Sequence, residues 1–137
     1  MKGKKGLGLV QHGGKEMVWG KGAVAENFVF LSGAEARDEV SDEPLGGIKE
    51  QTEVALNRIK QRLEEAGTSL DNVVKFVWYL ADRSQVDSFY KARDGWLAKN
   101  APKLLKKRSY ASTLLIVGLA KHNMLVEIDC IAYLPEN

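Results

Sequence analysis

The stretch from Tyr110 to Ile131, YASTLLIVGLAKHNMLVEIDCI, most limits what this chain can fold into. It reads as two apolar strands joined by a polar turn at Lys121-His122-Asn123. Thr113 to Ala120 is an apolar run of strand length. Leu125 to Tyr133 alternates, with Leu125, Glu127, Asp129 and Ile131 on one side and Val126, Ile128, Cys130 and Ala132 on the other. Glu127, set between Val126 and Ile128, is either the exposed side of a strand or a carboxylate held in a working site.

The rest of the chain supplies partners for that sheet. Glu16–Trp19, Ala23–Ala25 and Phe28–Ser32 read as a hairpin or meander, with Asn27 as a turn residue and Ser32-Gly33 as the end of the third segment. Residues 34–47 are polar and acidic and close on Pro44 and Gly46-Gly47, a loop long enough to cover a cleft. Ile48, Ala55, Leu56, Ile59, Leu63 and Ala66 recur at threes and fours, which predicts a helix stopped by Gly67. Val73–Leu80 is apolar on nearly both sides, the pattern of a central strand. Ser84 and Asp87 have N-cap spacing for a second helix, which runs to about Lys99 and ends at Asn100-Ala101-Pro102. Lys103–Arg108 is a basic connector, a solvated charge run or a substrate funnel. The order predicts an α+β domain, one sheet with two helices on one face. Its other face would be apolar and bare, which predicts oligomerisation through it.

A chain of 137 residues suits one domain, taken as residues 16–137 after a flexible or edge segment over 1–15. With 20 basic and 18 acidic residues, and no aromatics interleaved with a basic stripe, nucleic acid is not an expected partner. No apolar run reaches membrane-spanning length, so no membrane role is expected. The single cysteine, Cys130, excludes an internal disulfide and fits a reducing, cytoplasmic setting. It reads as a small buried hydrophobe. Zinc spacings, phosphate-binding glycine loops and nucleophile elbows are missing from the sequence. His12 and His122 lie in a glycine-rich end and a turn, where surface roles are expected.

A set of short matches, in order, resembles the Rid (YjgF-type, reactive intermediate deaminase, endoribonuclease L-PSP-like) family over nearly the full length. They are Phe30-Leu31-Ser32-Gly33, Gln51-Thr52, Ala55-Leu56-Asn57, Leu63–Gly67, Ser69–Lys75, Tyr79–Asp82 and Val126-Glu127-Ile128. The resemblance implies a chorismate-mutase-like fold with a mixed sheet, assembled as a homotrimer with clefts between subunits. It also implies a hydrolase acting on small enamines or imines, without metal or cofactor. In the family a glutamate of the last strand positions the attacking water, and Glu127 matches it. An arginine of a Pro-Ala-Arg-Ser/Thr motif grips the substrate carboxylate; here Tyr110-Ala111-Ser112-Thr113 stands in its place, with Ser112 at the arginine. Trp19 stands where the family has a tyrosine, and Tyr90 near a usual asparagine.

Losing a guanidinium from a buried carboxylate pair costs on the order of 2–5 kcal/mol. Three readings follow. Another base replaces it, from Arg37, Arg93, Arg108 or Lys21. Or the substrate is larger and less anionic, such as an aminomuconate-type product, held by Trp19, Tyr90 and the Ser112 and Thr113 hydroxyls. Or the protein is a non-catalytic ligand-binding or regulatory paralogue. Bland roles stand beside these: Glu127 in an interface ion pair with Lys75, Ser112 bonding backbone, and Trp19 as interface packing.

Overall fold

The computed structural model describes residues 3–136. The chain is α+β. Strands β1 (Lys4–Gly6), β4 (Gly22–Ala25), β5 (Phe28–Glu35), β6 (Val73–Leu80), β7 (Ala111–Ile116) and β8 (Val126–Tyr133) form one mixed sheet. Its order is β1-β4-β5-β8-β6-β7, and only β6 and β7 run parallel. β2 (Leu9–His12) and β3 (Lys15–Gly20) pair as a separate hairpin. Helices α1 (Ile48–Glu65), α2 (Val86–Asn100) and the short α3 (Pro102–Lys107) cover one face of the sheet. No helix among the described residues is long and apolar enough to cross a membrane.

The core forms where the apolar sides of the strands meet the helix stripes. Val126, Ile128, Cys130 and Ala132 of β8 are buried against Ala55, Leu56, Ile59 and Leu63 of α1. Trp78 and Phe76 of β6 stack at 4.4 Å beneath α2, and Phe89 meets Trp78 edge-on at 5.5 Å. α1 ends as expected at Gly67, whose φ of +91° is a backbone state that costs glycine little. Two polar side chains buried in this layer are fully used. Gln51 donates to the carbonyls of Gly46 and Asn123 and accepts from the Leu125 amide, tying loop, helix and β8 together. Thr52 donates to Ile48 O at 2.7 Å.

Several expectations need correction. The strands of the 110–133 stretch do not form a hairpin: β6 lies between them, and β7 joins β6 in parallel through the α2 crossover. The connection 117–125 is long enough to pass over the end of β6, so adjacency in sequence does not force pairing. Ser32-Gly33 does not end its strand; β5 continues to Glu35 through a bulge. Of the two readings of the N-terminal segment, the edge one fits: residues 3–15 carry β1 and β2, with β1 at the sheet edge. Met1 and Lys2, part of the same expectation, lie outside the described residues. The basic connector is largely α3, begun by Pro102, which needs no donor at a first helical position. Ser84 does not cap α2, whose N-cap is Gln85 without a side-chain bond; Asp82 instead caps the single 3-10 turn Arg83–Gln85 ahead of it, its carboxylate accepting from the Ser84 amide at 2.9 Å.

The uncovered face carries the other side of each strand. Phe28, Phe30, Leu115 and Tyr133 are each more than 40% exposed there, an apolar surface rather than a solvated one.

Candidate functional site

The bulge in β5 builds the site. Leu31 pairs with Cys130 and Ala34 with Ile128, so Ser32 and Gly33 together stand opposite Asp129. The ladder then resumes with Glu35 opposite Glu127, and Glu127 opposite Tyr79. Gly33 is required by close approach, since a Cβ there would lie 2.1 Å from Glu127 Oε2. The glutamate side chain lies across β5 in the space a side chain would fill.

β4 pairs only with the first half of β5, leaving the outer edge of Ser32–Glu35 without a strand neighbour. Two arginines one turn apart on α1 occupy that edge. Arg58 donates to the carbonyls of Glu35 and Arg37, and Arg62 to Ser32 O at 3.3 Å. The β2–β3 hairpin closes over the same edge, and a cavity of about 660 Å³ results. Glu127, Glu35, Arg37, His12, Trp19 and Lys21 all face it.

Charge inside this cavity is organised by Arg37. Its guanidinium lies 3.3 Å from Glu35 Oε1 and 3.2 Å from Asp42 Oδ1, and it donates to His12 Nδ1 at 3.0 Å. A guanidinium only donates, so Nδ1 is bare and His12 is neutral with its proton on Nε2. Burial and the Arg37 charge both lower the His12 pKa, in agreement. The ring meets Trp19 edge-on at 5.9 Å. Glu127, by contrast, has no cation within ion-pair distance among the described residues. Burial, then the Glu35 and Asp129 carboxyls, push its pKa up to about 7 against the pull of Arg37. At neutral pH it can give or take a proton.

A second cleft, about 570 Å³, opens at the other end of the sheet on the helix side. Arg93, Arg108, Tyr110 and Ser112 line it. The Arg93 guanidinium sits 5.2, 5.4 and 4.8 Å from the rings of Trp78, Phe89 and Tyr90. Ser112, opposite Phe76 in the ladder, accepts from Trp78 Nε1 at 2.8 Å, a side-chain partner where backbone was considered. Thr113 faces the other way, opposite Val77 on the uncovered face. Of the residues singled out from sequence, Glu127, Trp19, Arg37 and Lys21 therefore share one cavity. Ser112, Arg93 and Arg108 share the other, with Tyr90 stacked on Arg93 beside it. Lys75 stands opposite Ile131, not Glu127.

Sequence reading missed Glu35, His12, Arg58 and Arg62. The signal for the arginines was present: four apart on α1, they flank the apolar stripe at Ile59 and Leu63. His12 and Glu35 carried no signal, because the hairpin that brings in the first and the bulge that turns the second were not legible.

Residues 16–134 match the family model described as Endoribonuclease L-PSP. A RutC family protein of Pyrococcus abyssi is 32% identical over 108 residues, covering 78% of this chain and 79% of that protein. One from Pyrococcus horikoshii is 32% identical over 110 residues, covering 80% and 81%. The crystal structure of yeast Mmf1 superposes with a TM-score of 0.78 at 22% identity, over 96% of this chain and 99% of that one. Escherichia coli TdcF, crystallised with bound serine, gives 0.77 at 16% identity over 94% and 98%, a likeness of fold.

Proposed function

The chain belongs to the endoribonuclease L-PSP family, the Rid (YjgF-type) proteins, and from that premise we propose that it hydrolyses a small imine or enamine, with Glu127 as acid and base in clefts between subunits of a cytoplasmic homotrimer. The observation that carries this reading is Glu127 itself, half-buried over Gly33, facing a cavity, without a counter-ion and titrating at about 7. Protonated Glu127 gives its proton to the nitrogen of an imine, or to the β-carbon of an enamine, and either gives an iminium carbon. As carboxylate it takes a proton from water while the water oxygen bonds to the carbon. That proton passes to nitrogen as the carbon–nitrogen bond breaks. The hydroxyl proton then returns to Glu127, so that ammonia and a carbonyl compound leave and the carboxyl is restored. RNA is not the substrate in this reading: a net charge of +2 and a cavity where Lys21, Arg37, Arg58 and Arg62 are interspersed with three carboxylates do not form a phosphate track.

The division of residues between two cavities supports a site shared by subunits. One half offers a carboxyl lacking a cation; the other offers Arg93 and Arg108. The exposed Phe28, Phe30, Leu115 and Tyr133 give a second copy a surface to cover. Substrate carboxylate would then meet the neighbour's Arg93 or Arg108, with Trp19, Tyr90 and Thr113 bounding the rest. Capture without turnover is a second reading, favoured by Ser112, which stands at the family arginine and is committed to Trp78.

Ammonia release from freshly generated 2-aminoacrylate and from an aminomuconate-type imine tests the proposal. Glu127→Gln and Arg93→Ala should each be inactive, and mixed subunits should recover activity. Wild-type rates in Glu127→Gln would remove Glu127 from the chemistry. No recovery on mixing would place the whole site in one chain. Ligand binding without product would favour the second reading.

A further inference from the structure

Glu35 has no part in the chemistry above, yet its carboxyl is also held largely out of water. Its side chain is 10% exposed. One oxygen faces Arg37 at 3.3 Å; the other, Oε2, is buried without a hydrogen-bond partner. Arg37 does not supply that donor. Its Nη1 serves Asp42 and His12, its Nη2 serves Oε1, and its Nε is itself buried and unpartnered. Directly across the ladder stands Glu127, a like charge in the position where like charges repel most. A buried carboxylate oxygen without a donor and two facing carboxylates without a cation between them are both costly. One proton relieves both.

We propose that Glu35 is a positioning residue for Glu127: anchored by Arg37 through one oxygen and unpartnered at the other, it sets a fixed negative charge across the ladder from Glu127 that keeps the Glu127 carboxyl protonated, and that proton is the one delivered to the imine nitrogen. The use of the proton rests on the hydrolase reading; its presence does not. Every other charged or titratable group around Glu127 is otherwise engaged or weaker in effect. Tyr79 and Asp129 are its sheet neighbours, and Asp129 adds to the effect of Glu35. His12 is neutral, Lys21 lies 3.7 Å from Glu65, and Arg58 and Arg62 donate to backbone carbonyls. Glu39, on the cavity wall, is a further carboxylate and supplies no counter-charge.

The test is a carboxyl titration by carbon-13 NMR on the intact protein labelled at glutamate. Wild type should show one carboxyl with a midpoint near 7, absent from Glu127→Gln. In Glu35→Gln that midpoint should fall by on the order of one pH unit or more. In Arg37→Gln it should rise. Backbone amide shifts of β5 and β8 that stay at their wild-type values in Glu35→Gln separate the loss of a charge from a structural role. An unchanged midpoint in Glu35→Gln overturns the proposal. If Glu35→Gln does not fold, Glu35→Asp decides: drawing the carboxyl back by one methylene should lower the midpoint, and no fall overturns the proposal. Absence of turnover in wild type with these titrations intact would defeat the hydrolase reading alone.

Discussion

The two cavities solve the same problem, a charge held out of water, by different means. Around Arg37 charge is met by charge, with Glu35 and Asp42 both within 3.3 Å. Around Arg93 it is met mainly by ring faces, since the acid paired with it among the described residues, Asp94, is 54% exposed and screened. Ionic closure at the first cavity is incomplete and leaves Glu127 over. Aromatic closure at the second fixes the guanidinium while leaving its edge open to a ligand. Each region is electrically unfinished in the opposite sense, which is how a protein holds reactive groups at some cost in stability.

That contrast can be broken or sharpened in order of expected effect. Glu127→Gln should lower turnover by about 10²–10⁴-fold with the circular dichroism spectrum unchanged, as expected for loss of an acid–base group. Gly33→Ala should displace the Glu127 carboxylate and cost about 1–3 kcal/mol in denaturant unfolding, because the new Cβ would sit 2.1 Å from Oε2. A neutral Gly33→Ala would mean that Glu127 is not held over β5. Glu127→Gln should also change stability with pH. The carboxyl keeps its proton up to about 7 in the folded state but ionises near 4.5 when unfolded. Wild type therefore loses stability as pH rises between those values. The variant should match wild type below about pH 4 and exceed it by about 1–2 kcal/mol above pH 7, after allowance for solvent screening. A variant advantage at low pH instead would reverse the assignment. Smallest, Arg93→Met should cost about 1 kcal/mol of stability and weaken binding of a carboxylate ligand. Equal effects of Arg93→Met on anionic and neutral ligands would deny that cleft a role in charge.

Periodicity carried the helices, the inner strand Val73–Leu80 and the two sides of β8, because each depends on local spacing alone. Gly33 read as the end of a strand, and its actual role, making room for Glu127, needs the ladder. What failed depended on distant pairing. The β6 strand inserted between β7 and β8 is a matter of topology. The network of His12, Glu35, Arg37 and Asp42 joins a hairpin, a strand and a loop whose spacing shows no pattern. Arg37 was considered for the cavity because its loop looked like a cover; Glu35, two residues earlier, was not, because the third strand was taken to stop at Gly33.

The extra residue in β5 also sets the phase of everything after it. Up to Leu31 the odd-numbered side chains point under the helices; from Ala34 the even-numbered ones do. Removing one residue between them would restore one-to-one pairing, with Ala34 still turned to the helices and Glu35 still opposite Glu127. The paired residues on either side would therefore keep their places, and what a deletion of Gly33 takes away is the gap in which the Glu127 carboxylate lies.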